Sequence, residues 1–363
     1  MFVSNDFNPD WVSPPGDTII DLMDEVGLSI EELSKQIGLP KSKGQSLIDG
    51  ELTISEPLAS RLETIFAVSQ QFWLSRESAY RKHVVRQEEL NNSWLESLPT
   101  RDMSKFGWIP KGLSGKKKLN GCLKFFGVDS VTEWFDEYKH RNLSVAFRKS
   151  NTLTTVHAAE LAWLRRAELL SRQNRCFEWD RDALRSSLND IRRLTLIPAP
   201  QDFLPKLKNI LASCGVSLVI LQTPNGCRAS GATCFFEKDK ATLIMSFRYL
   251  SDDHFWFTLF HEIGHLVLHD IGVLRLEGKG ICEMSDKEEL EANDFAREIL
   301  IPNQYIPELR QFSVKNWKGI IRFARRIGVS RGIVLGQLQH MGAIPYSHLN
   351  RLKTKYNREQ LGG

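Results

Sequence analysis

The first ninety residues alternate short amphipathic runs with glycine stops. Apolar residues recur at helical spacing, and the runs end at glycines such as Gly27, Gly38 and Gly50. Ser29 and Glu32 form an S-x-x-E capping box at the start of the second run. The pattern therefore predicts five short helices in a compact all-α domain.

The period of the pattern changes after the two prolines at 198 and 200. Residues 122–195 are mostly helical in pattern, whereas the region after the prolines contains three short apolar runs separated by Gly, Asn and Asp. These predicted strands are 215–222, 231–237 and 241–247. An apolar helix, a second helix from Ser285 and a helical tail follow, so the predicted fold class is mainly α, of the α+β type.

The pattern divides the chain into five predicted parts. They are a loose N-terminus (1–13), an all-α domain (14–90), a helical connecting region (91–197), a domain built on the small sheet (198–310) and a helical C-terminal extension packed on that domain (311–363). Within the connecting region, the Lys-, Gly- and Ser-rich stretch 108–121 is predicted to be a solvated linker or loop.

Composition and charge exclude several classes of protein. The net charge of +4 permits a nucleic-acid partner without indicating one. No basic segment followed by an apolar one opens the chain, and the longest apolar run is too short to span a bilayer. The six cysteines include no CxxC pair, so we expect reduced thiols in a cytoplasmic protein without a membrane partner.

The run "FWFTLFHEIGHLVLHD", residues 255–270, places polar side chains in an apolar helix. His261 and His265 lie four residues apart, on one helix face, where both can bind one zinc ion. Glu262 lies between them and can serve as general base toward an attacking water. Buried imidazoles without partners are costly, which favours zinc over the alternative of a metal-free hydrogen-bonded His/Glu cluster.

The next helix is expected to supply the third ligand. Its apolar face includes Ala292, Phe295 and Ile299, and Glu291 precedes the last two by four and eight residues, so Glu291 is predicted to point inward and bind the metal. Glu288 is the alternative ligand, and Glu289 is expected to project from a different side of the helix. A surface position for Glu291 is the competing interpretation.

Other residues near this motif have weaker signals. His254 precedes the helix and is a candidate for holding a substrate oxyanion or supporting the site. His269 continues the histidine row but is more simply explained by the helix dipole, and Cys282 by a buried thiol. The strand 241–247, just before the helix, suggests that an extended peptide adds to a sheet edge near the metal.

The stretch "LSKQIGLPKSKGQSLIDG" has the layout of a helix-turn-helix, with Ser34 where the helices touch and Gly38 in the turn. Four side chains are predicted to face outward, toward DNA phosphates or base edges: Lys41, Ser42, Lys43 and Gln45. Gly44 weakens this second helix. A helical protein-interaction module is the alternative, and a second similar stretch at 320–342 is interpreted as structural packing.

Two family resemblances rest on these motifs. "FTLFHEIGHLVLH" followed by "EANDFAREILIP" resembles the ImmA/IrrE family of zinc metallopeptidases, a gluzincin-like fold, over residues 200–342. Residues 14–86 resemble the Xre-type domain of HigA-like antitoxins and repressors, although Pro40 and Gly44 depart from that pattern. The whole chain is similar to fusions of the two domains.

These resemblances imply that the protein is a bacterial or phage regulator. They also imply cleavage of a partner repressor, as carried out by family members. Carried over to this sequence, they imply metal ligands at His261, His265 and Glu291, with Glu262 as catalytic base. The implied partners are double-stranded operator DNA and a repressor-like protein substrate, and analogy with such repressors indicates a homodimer. The alternative function is a HigA-like antitoxin and autorepressor whose peptidase-like domain senses a signal or binds a cognate toxin.

Overall fold

The computed structural model describes residues 13–139, 155–246, 248–270 and 285–357. The chain forms two compact units, Met1–Ser93 and Trp94–Gly363. Almost all of the predicted loose N-terminus, and Cys282, lie outside the described residues. Among the residues that are described, no helix combines the length and the apolar character needed to cross a bilayer.

The first unit contains four of the predicted short helices and most of the fifth helix, which at 28 residues is longer than predicted and runs past the expected domain boundary at residue 90. They are α1 (Pro15–Val26), α2 (Ile30–Gln36), α3 (Lys41–Ile48), α4 (Glu56–Phe66) and α5 (Gln70–Ser97), which continues past the unit boundary. The Ser29–Glu32 capping box is present: Ser29 accepts from the Glu32 backbone N–H, and the Glu32 carboxylate accepts from the Ser29 backbone N–H. Apolar side chains from all five helices, including the fully buried Trp73, form its core.

Helices α2 and α3 approach each other closely at Gly44. A Cβ added at Gly44 would lie 1.9 Å from the Ser34 Oγ on α2. The Ser34 side chain is itself buried and donates a hydrogen bond to the Ile30 carbonyl at 2.6 Å. Gly44 is therefore required by the packing of the two helices, which explains a residue that the sequence marks only as a weak helix former.

The second unit begins with helices and then adds the sheet. The helices are α6 (Thr100–Lys105), α7 (Gly115–Phe126), α8 (Val131–Lys139), α9 (Thr155–Gln173), α10 (Arg181–Arg193) and α11 (Pro200–Ser213). Helix α7 occupies half of the stretch 108–121 that was predicted to be a linker or loop. The expectation was wrong there because Leu119, Cys122, Phe125 and Phe126 supply an apolar face that the lysines and glycines obscure in the sequence.

The described residues contain three strands, which form one small mixed sheet, as predicted. They are β1 (Val216–Ile220), β2 (Gly231–Glu237) and β3 (Lys240–Met245), in the order β1-β3-β2. Strand β3 pairs in parallel with β1 and antiparallel with β2. The predicted class, mainly helical with a small sheet, is confirmed. However, β3 is the central strand, so it cannot offer the free edge that the sequence suggested, whereas β2 lies at an edge.

The remaining helices complete the second unit. They are α12 (Asp252–Leu268), α13 (Asp286–Leu300), α14 (Ile306–Leu309), α15 (Trp317–Ile327) and α16 (Arg331–His340). Four 3-10 turns accompany them, at 194–196, 303–305, 314–316 and 350–352. Helix α16 packs against the start of α12, since a Cβ at Gly332 would lie 2.2 Å from Asp252 Oδ1. The helix-turn-helix-like stretch 320–342 is therefore packed into this unit.

One face of α10 holds the ends of three other helices. Arg181 donates to the His269 carbonyl at 3.0 Å and Arg185 to the Val267 carbonyl at 3.4 Å, both at the end of α12. Arg192 donates to the Leu300 carbonyl at the end of α13 and to the Ile327 carbonyl at the end of α15. Because the last carbonyls of a helix lack partners within it, these arginines stabilise all three helix ends.

Candidate functional sites

The two histidines of α12 converge as the spacing predicts. His261 and His265 lie on one face of the helix, and their Nε2 atoms are 3.1 Å apart. Both side chains are largely buried, with 16% of His261 and 5% of His265 exposed. Burial, reinforced by the neighbouring histidines, lowers the pKa of His265 to about 4. Its imidazole is therefore neutral near pH 7, the form that binds a metal.

The carboxylate that approaches both histidine Nε2 atoms belongs to Glu289, and not to the expected Glu291. One carboxylate oxygen of Glu289 lies 3.3 Å from His261 Nε2, and the other lies 3.4 Å from His265 Nε2. The carboxylate of Glu291 faces His269 Nδ1 at 3.7 Å and Lys287.

The alternative ligand, Glu288, is also occupied elsewhere. Its carboxylate accepts the Ser285 backbone N–H at 2.7 Å in the capping box of α13. Its backbone carbonyl lies 3.3 Å from His269 Nε2, so His269 contacts the start of α13. This contact lies beside the histidine pair, and His269 is not part of the cluster formed by His261, His265 and Glu289.

The face of α13 that meets α12 explains the difference between the two glutamates. Ala292 and Ala296 are fully buried there, and a Cβ at Gly264 of α12 would lie 3.2 Å from the Ala292 Cα. At about 100° per residue, Glu289 lies about 60° from Ala292 on the side of Ala296, whereas Glu291 lies about 100° away on the other side. The expectation centred the face on Phe295, whose Cδ1 would lie 3.1 Å from the same Cβ but which lies about 60° from Ala292 on the side of Glu291.

Asn293 is a residue of this site that sequence reasoning missed. It lies one turn after Glu289, and its Oδ1 is 3.1 Å from His261 Nδ1. If Nδ1 carries the proton and donates a hydrogen bond to Asn293 Oδ1, the Nε2 lone pair of His261 faces His265 and Glu289. Such a second contact is how metal-binding histidines are usually held in one tautomer. The sequence signal that could have identified Asn293 is its position four residues after Glu289, on the same face of the helix.

Glu262 is buried beside the histidine pair, against the edge strand β2. Its Oε2 accepts a hydrogen bond from the Thr233 hydroxyl at 2.8 Å. A Cβ added at Gly231 would lie 2.8 Å from Glu262 Oε1, so the strand leaves just enough space for the carboxylate. Burial raises the pKa of Glu262 to about 7, with the Thr233 hydrogen bond opposing the rise and the charge of Glu289 adding to it.

The donor set fits a zinc ion. His261, His265 and Glu289 each offer one ligand atom, and these atoms lie within 4.8 Å of one another. Three atoms at zinc–ligand distances of about 2.1 Å and tetrahedral angles are about 3.4 Å apart. The two Nε2 atoms are 3.1 Å apart, and they lie 3.3 and 3.4 Å from different oxygens of the Glu289 carboxylate, so the cluster has about the size that one zinc ion requires. Two imidazoles and one carboxylate also form a hydrolytic zinc ligand set.

His254 lies away from this cluster, near the start of α12. Its ring stacks on Tyr249 with the centroids 4.4 Å apart. Seven residues separate it from His261, which places it about 10 Å away along the helix axis. His254 and Thr258 line a small pocket with Ser230, just before the start of β2. Its position is therefore beside the edge strand and at a distance from the convergent histidines.

In the first unit, the four residues predicted to face DNA are exposed on α3. Lys41 forms an ion pair with Glu31 of α2, and Gln45 donates to Asp49 at 2.9 Å. Ser42 and Lys43 lie beside them on the surface. The exposed pair Lys41–Glu31 contributes little to stability, so Lys41 can exchange this partner for a phosphate at small cost.

Two histidines four residues apart on one helix, with a glutamate between them and a further carboxylate nearby, form an arrangement typical of metallopeptidases. Comparison with known proteins agrees, because residues 233–339 match the family model of the IrrE N-terminal-like domain of the M78 peptidases. The match extends beyond residue 310 and includes α15 and α16.

Two further proteins are similar to part of this chain. The uncharacterized HTH-type transcriptional regulator YddM of Escherichia coli (strain K12) is 27% identical over 66 residues, which cover 18% of this chain and 70% of the regulator. The structure of an addiction module antidote protein of the HigA family from Coxiella burnetii is 23% identical, covers 21% of this chain and 85% of its own, and has a TM-score of 0.20. The regulator and the IrrE-like match together confirm the predicted combination of domains.

Proposed function

We propose that this chain is a DNA-binding regulator whose second unit is a zinc-dependent endopeptidase acting on a repressor-like protein. The observation that carries the proposal is the convergence of His261, His265 and Glu289 beside the buried Glu262. The IrrE-like match over residues 233–339 supports the peptidase part.

Each side chain has a distinct role in this proposal. His261, His265 and Glu289 would hold zinc, which supplies Lewis acidity toward the scissile carbonyl when it is bound. Glu262 takes a proton from the attacking water and returns it to the leaving amine. Its raised pKa, about 7, suits both transfers at neutral pH. The Thr233 hydroxyl holds the Glu262 carboxylate in place.

The edge strand β2 offers a place for the substrate. Among the described residues it pairs only with β3, and it begins at Gly231, which lies against Glu262. An extended peptide that adds to the outer edge of β2 would gain main-chain hydrogen bonds and pass the general base. A repressor-like substrate would need to present such a segment, from a loop or after local unfolding.

The metal part of the proposal is tested by zinc affinity in two matched variants. Glu289→Gln should weaken zinc binding by about two to three orders of magnitude, because one of three protein ligands loses its charge. Glu291→Gln removes the same charge two residues away and should leave zinc affinity within about tenfold. Competition with a chromophoric chelator measures both. Equal zinc affinity in the two variants would remove Glu289 from the site.

The catalytic part is tested with Glu262→Gln. This variant should bind zinc normally and fail to cleave the repressor-like protein encoded beside its gene. Cleavage that persists in both Glu262→Gln and His265→Ala would refute the mechanism.

The DNA-binding part of the proposal rests on the first unit. Helix α3 follows α2 in the helix-turn-helix layout and exposes Lys41, Ser42, Lys43 and Gln45. The similarity to an HTH-type transcriptional regulator supports this role. Lys41 and Lys43 are assigned to phosphates and Gln45 to a base edge, so Gln45→Ala should reduce discrimination between operator and unrelated duplex.

A second candidate function is an antitoxin and autorepressor whose second unit senses a signal or binds a toxin. The helix-turn-helix unit favours it, because such a protein needs DNA binding and no catalysis. In this case Glu262→Gln would repress its own promoter as the unchanged protein does and would still neutralise a toxin encoded beside it. Loss of regulation in Glu262→Gln, with zinc and operator binding intact, would favour the peptidase.

A further inference from the structure

A lysine-rich segment of the second unit has no role in the proposed peptidase. Six lysines lie between Lys105 and Lys124, and the sequence contains no Asp or Glu from Met103 to Val128. Within the described parts of the chain, none of these lysines forms an ion pair with a carboxylate. The segment therefore concentrates uncompensated positive charge.

Helix α7 places the central lysines on one face. Its buried residues are Cys122, Leu123, Phe125 and Phe126. At about 100° per residue, Lys116, Lys117 and Lys124 lie within about 100° of each other on the opposite side. All three are exposed.

The loop before α7 carries another exposed lysine. A Cβ at Gly121 would lie 2.7 Å from Leu113 Cδ1, so the loop packs back onto α7 one turn before Lys124. Lys111 lies two residues before Leu113 and is exposed. Lys111, Lys116, Lys117 and Lys124 are called the lysine ridge below.

The nearest acidic residue before the ridge does not neutralise it. The Oδ2 of Asp102 accepts the Asn225 backbone N–H at 2.7 Å, so this carboxylate points to another part of the unit. Lys116 and Lys117 also occupy the first turn of α7, where the helix dipole disfavours positive charge. This unfavourable position is relieved when an anion lies on the ridge.

We propose that the lysine ridge binds the phosphate backbone of double-stranded DNA, as a second and sequence-independent contact of this regulator. A row of lysines that is not engaged by carboxylates suits closely spaced phosphates. DNA is favoured over an anionic membrane surface because the ridge lacks an adjoining exposed apolar face, since the apolar side of α7 is buried. The inference rests on the proposed DNA binding of the chain, which tethers the second unit to the bound duplex.

The test compares two full-length triple variants that lose the same charge. One is Lys116→Gln, Lys117→Gln, Lys124→Gln, and the control is Lys206→Gln, Lys208→Gln, Lys238→Gln, three exposed lysines elsewhere in the second unit. Fluorescence anisotropy measures affinity for a duplex from the region upstream of the gene and for a scrambled duplex, over about 50 to 200 mM salt.

The ridge variant should show a salt slope that is shallower by up to about 2.7, since each phosphate contact contributes about 0.9. Its affinity at about 100 mM salt should fall roughly 10- to 100-fold for both duplexes alike, leaving their ratio unchanged, while the control variant stays close to the unchanged protein. The triple Lys→Arg variant at the ridge should retain the slope, which separates lost charge from misfolding.

Three outcomes would overturn the inference. Equal slopes and affinities in the ridge and control variants would show that the ridge does not contact DNA. Unchanged DNA binding together with lost binding to phosphatidylserine-containing vesicles would assign the ridge to membranes. An unchanged protein that binds neither duplex would refute the proposed DNA-binding function as well, whereas the first two outcomes leave it intact.

Discussion

Replacing Gly44 by alanine tests whether the close approach of α2 and α3 is as the structure shows. Helix propensity alone predicts that the change stabilises α3 by about 1 kcal/mol. The structure predicts the opposite sign, because the new Cβ would lie 1.9 Å from Ser34 Oγ and 3.2 Å from Ser34 Cβ. Overpacking of this kind costs about 1–3 kcal/mol.

The clash has a second cost. If the Ser34 hydroxyl rotates away from the new methyl group, it gives up its hydrogen bond to the Ile30 carbonyl inside a buried contact. An unsatisfied buried hydroxyl costs about 1–3 kcal/mol. Together these effects outweigh the gain in propensity, so Gly44→Ala should destabilise the first unit by about 2 kcal/mol.

Amide hydrogen exchange of the full chain reports this change locally, through the protection of α2 and α3. The double variant Ser34→Ala, Gly44→Ala removes the hydroxyl and should recover about 1 kcal/mol relative to Gly44→Ala alone. The exposed neighbour Ser42→Ala is the control and should change protection by less than about 0.5 kcal/mol. Equal or greater protection in Gly44→Ala would refute the close approach.

Three further predictions concern the second unit. Asn293→Ala should weaken zinc binding about 10- to 100-fold, because His261 loses the partner that fixes its tautomer; unchanged affinity in chelator competition would exclude this role. Gly231→Ala should keep zinc content but reduce cleavage and lower thermal stability, because its methyl group would lie 2.8 Å from both Glu262 Oε1 and Thr258 Cγ2 and would displace the carboxylate; full activity would contradict this. Burial raises the pKa of Asp252 from 3.8 to about 6, so protonated Asp252 favours the folded state and its ionisation penalises folding as pH rises. In urea unfolding, the unchanged protein should therefore lose up to about 3 kcal/mol of stability relative to Asp252→Asn as the pH rises from about 4 to 7. A difference that stays constant with pH would be inconsistent with this.

Local signals in the sequence were sufficient for most elements. The capping boxes at Ser29 and Ser285 are both present, because such a box depends only on residues three apart. The three strands lie within one or two residues of their predicted bounds, since turn residues separate them. The His261–His265 pair follows from helix geometry alone, so it could also be predicted from sequence.

Which glutamate lies beside the two histidines depends on tertiary packing, and the positions of the large apolar residues do not predict it. The contact between α12 and α13 runs through Gly264 and Ala292, whose small size lets the helices approach. Phe295 drew the prediction to Glu291 because bulky residues dominate a hydrophobic pattern. The contact through small residues instead turns Glu289 toward His261. Thr233 also could not be predicted from the sequence, because its hydroxyl contacts Glu262 only after the sheet has formed.

The arginines of α10 bear on which part of the chain unfolds as a unit. The segment that matches the IrrE-like family begins at residue 233, whereas α10 ends at Arg193. Yet Arg181, Arg185 and Arg192 satisfy carbonyls at the ends of the histidine-bearing helix, of the glutamate-bearing helix and of α15. Local opening of α10 would therefore release three helix ends at once, coupling their fluctuations to one another. The cooperative unit around the candidate metal centre is thus larger than its family match, and its rigidity depends on a helix that supplies no ligand.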